Sequence, residues 1–226
     1  MKSRVKGYNR EFISQVAAND SLRQLYEPLV QKCKGHTFEA FAFAILAANE
    51  MTSRAELALA AVKNINPSAT EPKEEQLREA LKACGLMFYK NKAHYISQLV
   101  WRFGSAGAYA PNNCFEDESC STYRDRVLDL NILGLAFCKT SFACMLAYGG
   151  GDVVCCDRHV LNIYFNGSYE DWMARNTKKA VLLQRAVEAY FVKIAADYGW
   201  ASASALQWAV WAEALGRYTE HSVVWS

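Results

Sequence analysis

The stretch from Asn131 to Leu161 holds the residues best placed to do chemistry. A helix is expected to end near Leu133, a tight turn to run from Gly134 to about Phe137, and a second helix to carry Lys139, Phe142, Met145 and Leu146. A glycine turn that opens a helix leaves backbone N–H groups free, and these can bind a nucleic-acid phosphate without reading sequence. Gly134, Leu135, Ala136, Phe137 and Cys138 form that turn. Lys139 falls in the first turn of the helix, where partial burial and the positive helix end both disfavour an ammonium and favour a neutral, nucleophilic amine. Gly149, Gly150 and Gly151 then stop the helix, and the apolar run Asp152 to Cys156 reads as a buried connector that delivers Asp157 to the start of the next helix. There the carboxylate can cap its own helix. Lys139 and Asp157, eighteen positions apart, are candidates to meet.

The elements that must position them are helical. All four prolines (Pro28, Pro67, Pro72 and Pro111) lie in the first half, so nothing interrupts helices in the second. Phe38, Phe41, Ile45 and Asn49 share one helical face, as do Ala93, Ile96, Val100 and Phe103, and later Leu183, Val187, Tyr190 and Ile194. Strand-like alternation is nearly absent. Ser53-x-x-Glu56 and Thr122-x-x-Asp125 resemble capping boxes and Gly35 follows a helix, giving about ten helices and an all-α fold class. Two loops stand out, Asn64 to Pro72 and Gly104 to Ser121, the second marking a boundary between lobes.

Composition narrows the classes. A chain of 226 residues with 52% hydrophobic content can bury a full core, and its net charge of +2 neither argues for nor against nucleic acid. No run reaches the roughly 18 apolar residues of a membrane helix, and the beginning of the sequence lacks the apolar stretch of a signal peptide, so the expected location is cytoplasmic. The eight cysteines include no Cys-x-x-Cys, and the four histidines add no close ligand pairs, so neither a disulfide framework nor a metal is expected.

The hairpin, Lys139 and the Asp157-Arg158-His159 context resemble the helix-hairpin-helix DNA glycosylase superfamily, which includes endonuclease III and the archaeal 8-oxoguanine glycosylases. The resemblance covers roughly residues 38 to 216. Phe38-Glu-Ala-Phe-Ala-Phe-Ala-Ile-Leu-Ala-Ala-Asn49 looks like the family helix ending in Leu-x-Ala-Asn/Gln, and Gly85-Leu-Met-Phe-Tyr-Lys-Asn-Lys-Ala93 like its Gly-x-x-x-x-Lys-Ala segment. Leu206 to Gly216 resembles the closing helix of the archaeal enzymes. The implied architecture is one two-lobed unit over 1–226, with a lobe of roughly 38–117 inserted between the N-terminal segment and a 118–226 lobe, and the active site in the cleft between them.

The resemblance implies a DNA glycosylase with AP lyase activity. Lys139 would attack the sugar C1′ as the base departs, form a Schiff base and support β-elimination of the 3′ phosphate, while Asp157 would stabilise the positive sugar and assist proton transfer. The partner is double-stranded DNA whose modified base is flipped out of the stack. Asn49 stands where a side chain fills the vacated space, or is an ordinary helix C-terminal residue. Lys90, Lys92 and Arg158, with Tyr89, form a basic set that could face phosphates, or a solvated face. His159, Trp208, Trp211 and Trp225 could contact the flipped base, the first as readily a packed histidine and the next two as readily core. No cofactor is implied, because no cysteine follows Cys156 to hold an iron-sulfur cluster. A monomer is expected.

Two other departures matter. The tail Glu220-His-Ser-Val-Val-Trp-Ser226 has no lysine where the archaeal enzymes use one for the damaged base, which speaks against 8-oxoguanine specificity. The hairpin Gly134-Leu-Ala-Phe-Cys-Lys139 has Ala136 for the second glycine and one extra residue; an ungapped register puts Cys138 at the catalytic position, and the eighteen-residue interval to Asp157 favours Lys139. The same hairpin form resembles a phage branch of the superfamily, associated with thymine hypermodification. There an amino acid:DNA transferase would join a free amino acid to pyrophosphorylated hydroxymethyluracil in DNA, in the cytoplasm of the host cell. A third reading is a non-catalytic DNA-binding module.

Overall fold

The computed structural model describes residues 8–31, 34–50, 52–68, 70–105 and 118–216. They form eleven α-helices and a single 3₁₀ turn, with no strand among the described residues. In chain order the helices are α1 (Arg10–Ala17), α2 (Asp20–Gln31), α3 (Thr37–Leu46), α4 (Thr52–Ile65), α5 (Glu74–Ala83), α6 (Tyr89–Ser105), α7 (Cys120–Asp129), α8 (Phe137–Tyr148), α9 (Arg158–Tyr164), α10 (Lys178–Asp197) and α11 (Ala203–Leu215). The boundary segment between α6 and α7 falls largely outside the described residues, as does Trp225.

The centre of the fold is the pairing of α3 with α8. Residues Ala40 to Leu46 are all buried, and the alternating alanines Ala40, Ala42 and Ala44 let α3 approach its neighbours closely. From α8, Ala143, Cys144, Met145, Leu146 and Ala147 enter the same core. Helices α4 and α6 also pack on α3, while α7 and α2 pack on α8. Helix α8 therefore has little freedom to shift, which matters because it carries Lys139.

The helix ends differ from the sequence expectation in three places. Helix α7 stops at Asp129, about a turn before Leu133, because Asn131 takes a left-handed conformation (φ 49°) and its N–H closes on Leu128 O. Its N-cap is Ser119, whose hydroxyl accepts from the Thr122 amide, so Thr122 is three residues inside the box it was expected to open. Ser53 likewise lies within α4, which begins at Thr52. The stop after α8 falls on Gly149, left-handed at φ 71°, with the Gly149 and Gly150 amides bonded to Leu146 O and Met145 O.

The connector Gly151 to Cys156 joins no sheet and buries Val153, Val154 and Cys156, so side chains must satisfy its backbone. Ser204 Oγ donates to Val153 O, the Val154 N–H donates to Glu188, and the Cys155 N–H donates to Gln207 Oε1. Glu188 is itself held by the fully buried Arg124, which also reaches Ser141 and lies over the Phe137 ring. One ion pair thus ties α7, α8, α10 and the connector together. Arg124→Met is expected to cost about 3–5 kcal/mol, because it leaves Glu188 charged and buried without its partner. Urea denaturation of that variant and of Arg124→Met with Glu188→Gln checks this; the double variant should recover much of the loss.

Candidate functional site

Gly134 has φ 82°, and a Cβ there would lie 2.5 Å from Cδ2 of Tyr95 on α6, so only glycine fits this turn. The chain then enters α8 with Ala136 as N-cap, which offers no side-chain acceptor. Helices α7, α9, α10 and α11 differ, each having an N-cap side chain that binds an amide: Ser119, Asp157, Thr177 and Ser202. The first turn of α8 keeps its positive end largely uncompensated, apart from a long 3.5 Å contact from the Phe137 N–H to Asn176 Oδ1. Leu135 and the Phe137 side chain are buried, so any ligand at this turn meets backbone and the partly exposed Ala136 and Cys138.

Lys139 is half-buried in that turn, and its side chain makes no ion pair or hydrogen bond among the described residues. Burial pushes its pKa below the ordinary lysine value of 10.5; the Lys92 ammonium pushes the same way and Cys138 opposes. Asp157 caps α9, its Oδ1 accepting from the His159 amide at 2.9 Å and the Val160 amide at 2.8 Å. Burial raises its carboxyl above the usual 3.8, against the charge of His159, the two amides and a hydrogen bond from Trp211.

The two residues do not pair directly. The Asp157 carboxylate is engaged by α9 and Trp211 and makes no ion pair with Lys139. What joins their segments is a contact between flanking cysteines, Cys138 Sγ and Cys155 Sγ, 3.5 Å apart.

The other expected residues divide. Asn49 is exposed just past α3 at φ 60°, a left-handed position that asparagine tolerates. Lys90 and Arg158 are exposed. Lys92 is a correction: it is 3% exposed, and its ammonium donates to Leu46 O and Glu50 Oε1, both at 2.9 Å, so it faces the protein and cannot reach a phosphate. Its physical role is to hold the end of α3 against the start of α6, since Glu50 Oε1 also accepts from the Met87 amide. His159 stands in the first turn of α9, and Trp208 and Trp211 are partly buried on α11.

Sequence reasoning missed Glu50, Gln207 and the Arg124–Glu188 pair, whose partners lie 42, 52 and 64 positions away and leave no local pattern. It also missed the exposed Met87 and Phe88 in the α5–α6 turn, the latter at φ 56°. Among the described residues no cluster of His, Cys, Asp or Glu could hold a metal ion, and no helix is long and apolar enough to cross a membrane.

Comparison with known proteins places the fold. A family model described as 8-oxoguanine DNA glycosylase matches residues 20–199. The solved 8-oxoguanine DNA glycosylase of Methanocaldococcus jannaschii is 21% identical, with a TM-score of 0.67 over 91% of this chain and 92% of that one. The glycosylase/lyase of the same organism, solved in complex with 15mer DNA containing 8-oxoguanine, is 24% identical with a TM-score of 0.65, covering 89% and 91%. The 8-oxoguanine DNA glycosylase of Thermotoga maritima is 19% identical with a TM-score of 0.67, covering 92% and 98%. No curated protein matches the chain in sequence.

Proposed function

Because this chain belongs to the 8-oxoguanine DNA glycosylase family, and is therefore an enzyme of the DNA glycosylase class, we propose that it removes a modified base from duplex DNA through Lys139 and then cleaves the strand as a lyase. The observation that carries this reading is the uncapped start of α8, which sets an unpaired, half-buried Lys139 in the same turn as free backbone amides. A DNA phosphate on those amides fixes the strand without reading sequence. The flipped nucleotide then presents its C1′ to the amine.

The steps follow from the residues. Lys139 Nζ, its pKa lowered chiefly by burial so that the neutral amine is more accessible, bonds to C1′ as the base leaves. Asp157 carries negative charge beside the sugar as positive charge develops there, and its raised carboxyl pKa suits it to pass a proton nearer neutrality. Loss of the 3′ phosphate by β-elimination follows from the Schiff base. Asn49, exposed and left-handed at the end of α3, fills the space left by the extruded base, and Lys90 and Arg158 supply exposed charge for the backbone.

A panel of duplexes led by 8-oxoguanine, with oxidised pyrimidines, uracil and an abasic site, tests this under single-turnover conditions. Release of one free base and a nick at the same position are expected. Intact strands throughout, with an amino acid joined to pyrophosphorylated hydroxymethyluracil, would assign the chain to transfer chemistry instead.

A further inference from the structure

Two thiols bracket the proposed reaction centre. Cys138 immediately precedes Lys139, Cys155 lies two residues before Asp157, and their sulfurs are in contact at 3.5 Å without being bonded as a disulfide. The lysine mechanism uses neither. We propose that Cys138 and Cys155 are a reversible oxidation site, a dithiol that peroxide converts to a disulfide linking the start of α8 to the connector and thereby slowing the lysine chemistry.

The geometry assigns each thiol a part. Cys138 is partly exposed in the uncapped first turn of α8 and is the thiol that peroxide meets first. Cys155, in contact with Cys138 at 3.5 Å and set back on the connector, is the resolving partner; its hydrogen bond with Cys138 and its burial push its thiol well above the ordinary 9.0. The Cys138 thiolate attacks one peroxide oxygen, the O–O bond breaks, and a sulfenic acid and hydroxide result. The Cys155 sulfur then bonds to the Cys138 sulfur as the C–S–O link breaks at oxygen; the Cys155 proton leaves with that oxygen as water. Two thiols and one hydrogen peroxide become one disulfide and two waters, the sulfurs giving up two electrons.

A disulfide needs its sulfurs about 2.05 Å apart, so the pair must close by roughly 1.5 Å. The connector cannot simply follow, because Gln207 holds Cys155 and Glu188 holds Val154. Part of the movement falls on the first turn of α8, and a displacement on the order of 1 Å at a reacting group costs about a hundredfold in rate.

The effect on activity rests on the lysine reading, whereas the bond itself does not, and two readouts keep them apart. Reduced protein is treated with stoichiometric hydrogen peroxide, quenched with catalase and digested with trypsin without reductant. The expected product joins peptides 127–139 and 140–158 with loss of two hydrogens, and it is absent from Cys155→Ser. In parallel, strand cleavage at an abasic site should fall at least tenfold in the oxidised wild type, return with dithiothreitol, and stay unchanged in oxidised Cys155→Ser. Recovery of both thiols free, or oxidation of Cys138 past the disulfide to sulfinic acid, overturns the oxidation site. A disulfide that leaves cleavage unchanged overturns the switch. If the reduced wild type fails to cleave, the lysine reading falls and the peptide map alone decides whether the site exists.

Discussion

Lys139→Gln is expected to lower single-turnover strand cleavage by at least about a thousandfold, since it removes the proposed nucleophile and leaves only binding and electrostatic contributions. The same residue carries a stability signature. Its pKa is lowered in the folded state, so between that value and the ordinary 10.5 the unfolded chain binds more protons than the native one. Stability therefore rises with pH through that window and gains nothing from Lys139 below it. Lys139→Met removes the cost of burying a charge, so its Tm at neutral pH should be no lower than that of the wild type. Its pH dependence should be flatter on the alkaline side. A dead but undamaged protein separates a functional lysine from a structural one; if Lys139→Met cleaves normally, the amine is not the nucleophile.

In the proposed mechanism Asp157 does two jobs, and paired substitutions separate them. Asparagine keeps an oxygen for the His159 and Val160 amides but loses the charge, so Asp157→Asn should fold normally while cleavage falls about a hundredfold or more. Alanine loses both, adding a stability cost of about 1 kcal/mol for the missing cap. Thermal melts alongside rates measure the two effects on the same samples. Equal activity of wild type and Asp157→Asn would reduce Asp157 to a cap.

Much of this site could be read from the chain because its signals are local. Gly134 and the Gly149 to Gly151 run bracket α8, and both ends sit where left-handed glycines permit the turns. The start of α9 at Asp157 follows from the same logic of capping. What the sequence hid depends on contacts between distant positions. Lys92 lies in a polar stretch beside exposed Lys90, and nothing local shows that its partner Glu50, next to Asn49, pulls it inward. The early stop of α7 at Asp129 was masked by Ile132 and Leu133, which continue the apolar pattern after the backbone has turned at Asn131. The contact between Cys138 and Cys155 arises only because a buried connector folds back along α8, supported by side chains from α10 and α11.

The central claim is that Lys139, rather than Cys138 one residue earlier, bonds to the sugar. Borohydride reduction during reaction with a modified or abasic duplex captures that bond, and mass spectrometry of the digested adduct locates it. A protein–DNA adduct on Lys139, lost in Lys139→Gln and retained in Cys138→Ser, is expected. An adduct on another residue, or an undiminished adduct in Lys139→Gln, would contradict the claim.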